Sequence, residues 1–195
     1  MEKFWNLMKM KYKLLLTKAK NQMNKTHLLF LILILALQSC GSLKNKGFYT
    51  IYLVRHSEKE VSASMYGSDP PLTLCGKKRS ESLSNFLKDV PIEVIYSTDY
   101  TRTKNTALPT AQSKGLDIQQ YDGEALEDFS KLLLRRKKDA LVVGHSNTTG
   151  VLAGLLTGQE IGEFDLDIYD RIYQVSLRKR RGRLHILHTA FDCNE

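Results

Sequence analysis

A three-layer α/β/α sandwich around a mostly parallel sheet is the fold class this sequence predicts, on three observations. Short apolar runs alternate with longer amphipathic segments from about residue 48 onward, the pattern of a sheet layered between helices. Two of the runs, Ile51-Tyr52-Leu53-Val54 and Ala140-Leu141-Val142-Val143, are apolar throughout, as buried strands are. Near its end the chain offers two β-favouring runs joined by Lys179-Arg180-Arg181-Gly182, which reads as a hairpin.

The first 47 residues stand apart from that pattern. Of the net charge of +8, residues 1–39 carry +6, from seven lysines and Glu2. The remainder is nearly balanced, which argues against a nucleic-acid partner. Leu28 to Leu37 is an unbroken apolar run, too short to span a bilayer as a helix and preceded by basic residues, so it reads as a secretory signal. Leu37-Gln38-Ser39-Cys40 is similar to a bacterial lipobox, with Cys40 as the acylated first residue of the exported protein. The expected layout is a leader over 1–39, an anchor and tether over 40–47 and one domain over 48–195. Met1 to Gln22 is long for a signal, and translation starting at Met23 is one explanation; a basic amphipathic leader is the other.

Within the domain, a strand at 51–54 is followed by a Ser-, Gly- and Pro-rich loop to Pro71. Thr73 is a candidate N-cap for a helix over about 76–88, with Leu83, Phe86 and Leu87 on one face. A strand is predicted over 92–96, then a helix from about Tyr100 that Pro109 should kink or end. Residues 116–121 read as a short edge strand and 124–138 as an amphipathic helix with a Leu126, Phe129, Leu132, Leu133 stripe. Its Arg135-Arg136-Lys137-Lys138 end complements the helix dipole and reads as a solvated charge run. After the 140–143 strand, Asn147-Thr148-Thr149 can cap a helix that stops at Gly158. In the final hairpin, Gly182 is expected to supply the unusual backbone angle, and the basic tip reads as a solvated loop, with contact to anionic lipid headgroups near the anchor as the other reading.

Chemistry gathers where strands end. The first strand runs into Arg55-His56, the one at 92–96 is followed by Arg102 near a helix start, and the one at 140–143 by Gly144-His145. If these strands are sheet neighbours, two arginines and two histidines converge on one anion at the carboxyl edge of the sheet, where α/β folds place ligands. His185 and His188 are three apart on a strand, point to opposite faces and carry no such implication. Cys75 and Cys193 are expected to stay unpaired, and no Cys-x-x-Cys or His-x-x-x-His spacing points to a metal.

Arg55-His56-Ser57, Ser97 through Arg102 to Thr106-Ala107, and Gly144-His145, each after a strand and in this order, resemble the motifs of the histidine phosphatase superfamily, the phosphoglycerate-mutase-like enzymes. Pro70-Pro71-Leu72-Thr73 with Gly76 resembles a further family element. The likeness spans about residues 48–192 and is strongest to the small branch with bacterial phosphohistidine phosphatases. Ser57 departs from the glycine usual at that place.

The resemblance implies a metal- and cofactor-independent phosphatase acting on a small phosphorylated substrate through a phosphohistidine on His56. Arg55, Arg102 and His145 would then bind the phosphoryl oxygens, with His145 as a cation. A general acid is less evident: Ser146 follows His145 where some members have Asp, which leaves Asp122, Glu124 and Glu127, with Asp122 the best placed at a strand end. Glu58 could orient a side chain or bind substrate. Two other readings stay open: a phosphate-binding envelope lipoprotein without turnover, and a phosphomutase.

Overall fold

Tyr49, Ile51 and Leu53 face one side of strand β1 (Tyr49–Arg55), Tyr52 and Val54 face the other, and both sets are buried. A strand apolar on both faces requires a helical layer on each. The computed structural model describes residues 5–18, 30, 47–61, 67–162, 165–179 and 181–193. Two compact units divide at Asn45 and Lys46. In the first, residues 5–18 are helical; the lipobox and most of the apolar run before it lie outside the described residues.

The second unit holds a six-stranded sheet in the order β3-β2-β4-β1-β5-β6, built from β2 (Val94–Ser97), β3 (Ile118–Gln120), β4 (Ala140–Gly144), β5 (Arg171–Arg178) and β6 (Arg181–His188). The first four strands pair in parallel, and β5 and β6 continue the sheet antiparallel. Helices α1 (Leu74–Phe86) and α2 (Thr101–Lys114) cover the face carrying Tyr52, Val54, Leu141 and Val143. Helices α3 (Leu126–Arg136) and α4 (Ser146–Thr157) cover the face carrying Ile51, Leu53 and Val142. Both cores are drawn from residues 49–187, so this unit carries its own hydrophobic core, as an independently folding domain does.

Four local expectations are revised. Helix α2 does not end at Pro109 but runs on to Lys114, because Thr106, Ala107, Thr110 and Ala111 are buried on both sides of the proline and packing outweighs the one missing N–H. The N-cap of α4 is His145 rather than Asn147; its N–H donates to Thr148 Oγ1 at 2.8 Å. In the β5–β6 turn, Lys179 takes the left-handed angle, with φ 57°, while Gly182 lies in β6. There it allows close approach, since a Cβ would stand 2.6 Å from the Leu156 carbonyl oxygen.

The fourth revision concerns the cysteines: Cys75 and Cys193 form a disulfide, with Cα atoms 5.4 Å apart. Strand β6 ends at the same edge of the sheet as β1, and the tail after it crosses the start of α1. Arg79 of α1 holds that tail, donating to the Phe191 carbonyl at 3.2 Å and stacking on its ring at 4.9 Å. Thr73 is the α1 cap, as its sequence position indicates, accepting from Gly76 N–H at 3.0 Å.

Candidate active site

Register brings the two histidines together. Arg55 of β1 lies opposite Gly144 of β4, so His56 and His145 leave adjacent strands side by side. The His56 N–H donates to the Gly144 carbonyl at 2.9 Å, and the ring centroids are 5.5 Å apart. On the other flank of β4, Ser97 pairs with Val143, which delivers Thr98 and the start of α2 to the same edge. The result is a cavity of about 620 Å³ whose lining includes Arg55, His56, Arg102 and His145.

His56 is 3 % exposed, and its Nδ1 lies 2.8 Å from the Ser57 carbonyl oxygen. A carbonyl only accepts, so Nδ1 carries the proton and Nε2 keeps its lone pair. Burial, helped by Arg55, Arg102 and His145 and opposed by the Ser57 bond, lowers the His56 pKa to about 3. Its ring is therefore a neutral nucleophile at any ordinary pH. Ser57 is itself fixed: its N–H donates to Thr106 Oγ1 at 2.9 Å, and Thr106 in turn donates to the Arg102 carbonyl. Among the described residues only Lys137 and Lys179 combine a side chain with positive φ, so Ser57 replaces the usual glycine without backbone strain.

His145 Nε2 lies 3.0 Å from Thr98 Oγ1. That hydroxyl donates to Thr103 Oγ1, whose own proton goes to backbone carbonyls, so Thr98 is left to accept from the imidazole. Burial first, then Arg102 and Arg55, lower the His145 pKa to about 4, with Asp69 opposing. The cationic His145 expected from sequence is thus not what the protein's own groups favour.

The arginines are held by contacts the sequence did not reveal. Arg55 Nη1 donates to the carbonyls of Leu166 and Ile168 at 2.5 and 3.2 Å, and its guanidinium stacks on Tyr169 at 4.2 Å. Arg102 stacks on Tyr100 at 4.2 Å and donates through Nη1 to Asp69 at 3.3 Å. The Nε–H groups of both arginines are buried without a partner among the described residues. Two buried donors, together with a third cation on the wall, Lys59, make a seat for a tetrahedral anion. The same cations repel a divalent metal. The His/Cys/Asp/Glu cluster found among the described residues is Glu58 with Cys75 and Cys193, and those cysteines are bonded to each other.

Carboxylates meet different fates. Asp122 and Glu124 both line the cavity, and Asp122 Oδ1 accepts from the Glu124 N–H at 2.9 Å, closing an Asx turn. Glu127 lies in the first turn of α3, outside the lining. Glu58 is gripped by Arg79, whose Nε donates to both its oxygens at 2.8 and 3.0 Å, and it does not line the cavity. Asp69 accepts from Thr101 N–H and Oγ1 while holding Arg102, so it sets both the start of α2 and the clamp. Asp69→Ala is expected to weaken inorganic phosphate binding about 10-fold by calorimetry, as loss of one charged hydrogen bond predicts.

Comparison with known proteins agrees with this geometry. Residues 51–130 match the histidine phosphatase superfamily (branch 1). The Escherichia coli protein named "Probable phosphoglycerate mutase GpmB" (strain K12 / DH10B) is 33% identical over 127 residues, covering 63% of this chain and 59% of that protein. The chain thus spans about three-fifths of the length of the curated relatives it matches. Among solved structures, the protein histidine phosphatase SixA complexed with tungstate superposes with a TM-score of 0.60 at 21% identity, over 71% of this chain and 96% of that one. The alpha-ribazole phosphatase from Shigella flexneri gives 0.59 at 15% identity, over 72% and 96%. At these identities the likeness is one of fold.

Proposed function

This chain belongs to the histidine phosphatase superfamily (branch 1), and from that premise we propose that it is an exported, lipid-anchored phosphatase of small phosphorylated substrates. The observation that carries the catalytic part is the Nδ1–Ser57 bond, which leaves a neutral Nε2 among fixed cations.

Phosphoryl transfer places negative charge on the equatorial oxygens, so the protein's task is mostly positioning and electrostatics. Arg55, Arg102 and His145 hold those oxygens. His56 Nε2 attacks phosphorus in line; the N–P bond forms as the P–O bond to the leaving group breaks. A phosphate dianion opposes the effects that depress the His145 pKa, so substrate favours a protonated His145 there. An alkoxide leaving group takes a proton from Asp122 or Glu124. Water then attacks the phosphohistidine, gives a proton to that carboxylate and releases inorganic phosphate, restoring His56.

Hydrolysis of p-nitrophenyl phosphate beside an alkyl phosphate, with Asp122→Asn and Glu124→Gln, tests this scheme. The residue acting as the acid should lose alkyl-ester turnover by roughly 10²-fold or more while largely retaining aryl-ester turnover, because the phenolate leaves unaided. Phosphate binding with no turnover of either ester would favour the binding-lipoprotein reading instead.

Protonation offers a second check. Both imidazoles have depressed folded-state pKa values, so they are expected to stay neutral in NMR titrations down to about pH 4 for His145 and about pH 3 for His56. The unfolded chain takes up those protons near 6.5. Stability is therefore complete above that pH and is expected to fall as pH drops toward 3, measured as the denaturation midpoint. A His56 midpoint between 6 and 7 would contradict the assigned environment.

For export, the supporting observations are the leader's basic-then-apolar pattern, the Leu37-Gln38-Ser39-Cys40 sequence and a disulfide between cysteines 118 residues apart, which suits an oxidising compartment. The anchor is the acylated Cys40. Incorporation of labelled fatty acid, lost in Cys40→Ser, tests it.

A further inference from the structure

The pole of the domain opposite the active site joins two basic segments that are far apart in sequence. Helix α3 ends in exposed Arg135, Lys137 and Lys138, immediately before β4 begins. The β5–β6 turn carries exposed Lys179 and Arg181. Tyr49 of β1 pairs with Leu177, and Ile51 with Ala140, so both segments sit at the amino end of β1, while His56 emerges from its carboxyl end. Lys131, Leu134, Arg135, Lys137 and Lys179 together line a shallow concavity of about 960 Å³. Nearby acids are engaged. Asp128 pairs with Lys131, Asp139 accepts from the Thr50 N–H, and Glu93 accepts from the Asp139 N–H.

The chain also joins the domain at this pole. Exposed Phe48 lies just before β1 and stacks under the Arg178 guanidinium at 4.8 Å. The tether of residues 40–47 can reach at most about 28 Å. A chain acylated at Cys40 therefore tethers this basic pole within about 28 Å of the headgroups.

We propose that this pole is a membrane-facing surface that binds anionic phospholipid headgroups, turning the catalytic pocket toward the aqueous side. The orientation rests on the anchor reading given above; the lipid contact rests on the charge and shape of the pole. Multiple weak cationic contacts, each worth about a factor of five near an anionic surface, add to the single lipid chain, which alone holds a protein only marginally. With the pocket at the far end of β1, the substrate is a water-soluble phosphate carried to the envelope, not a phospholipid headgroup of the supporting leaflet.

The test uses the domain of residues 46–195, which carries its own core and lacks both leader and Cys40. Co-sedimentation is measured with vesicles of phosphatidylglycerol and phosphatidylcholine, and with phosphatidylcholine alone. Binding is expected to the anionic vesicles only, to weaken as salt rises, and to drop on the order of 100-fold in Arg135→Glu/Lys179→Glu/Arg181→Glu. That variant should keep its p-nitrophenyl phosphatase activity and thermal midpoint. Equal binding to both vesicle types, no loss in the triple variant, or binding to duplex DNA without binding to vesicles would each overturn the proposal. Fatty-acid labelling of Cys40 in the full chain is scored separately, so failure of the anchor and failure of the surface are distinguishable.

Discussion

Replacing His56 by alanine is expected to reduce kcat toward p-nitrophenyl phosphate by at least about 10⁴-fold, the scale on which removing a covalent nucleophile acts. Inorganic phosphate should still bind, because Arg55 and Arg102 are positioned by Leu166, Ile168, Tyr169, Tyr100 and Asp69 and not by His56. The readout is thus split: calorimetric phosphate binding retained, turnover lost, and acid-labile phosphoenzyme absent from rapidly quenched reactions. Turnover within ten-fold of the wild type would remove His56 from the mechanism. Loss of phosphate binding together with the thermal midpoint would point to damage to the fold, which His56→Asn, closer in polarity, would then resolve.

Breaking the Cys75–Cys193 bond has the largest expected effect on stability. The bond closes a loop across a sequence separation of 118, and cross-links of that size contribute about 2–5 kcal/mol, mostly by restricting the unfolded chain. For a domain this large the thermal midpoint of Cys193→Ser should fall on the order of 10 °C, and wild type heated with a thiol reductant should match it. The bond also bears on the site through Glu58. Arg79 links that carboxylate to the Phe191 carbonyl, and Glu58 directly follows Ser57, whose carbonyl orients the nucleophile. A reduced protein should therefore lose some kcat before it unfolds. An unchanged midpoint in Cys193→Ser would mean that the tail contributes nothing to the native fold.

Much of this architecture was legible before any coordinates. Strands at 51–54 and 140–143 showed themselves as unbroken apolar runs because a strand buried on both faces has no polar alternation to display. Helix α1 is marked by its Thr73 cap and by Leu83 and Leu87, although Phe86 beside them is exposed, and α3 by its apolar stripe; such signals act within a few residues. Arg55, His56, Arg102 and His145 could be singled out because each follows a strand, and the carboxyl edge of a sheet is where such side chains meet. Pro109 misled because propensity records the missing N–H but not the packing of Thr106, Ala107, Thr110 and Ala111 that outweighs it. The lowered pKa of His145 in the protein without substrate could not be read locally, because the burial and the neighbouring arginines that depress it come from three different segments.

On its own, then, the order of residues determined where strands and helices form and which strand ends carry chemistry, since these follow from periodicity and capping over short stretches. Tertiary structure alone decided that Arg55 sits opposite Gly144, that Cys193 returns to Cys75, and that the end of α3 meets the β5–β6 turn. Those pairings depend on strand order and register, which the whole sheet sets at once, so no local stretch of the chain records them.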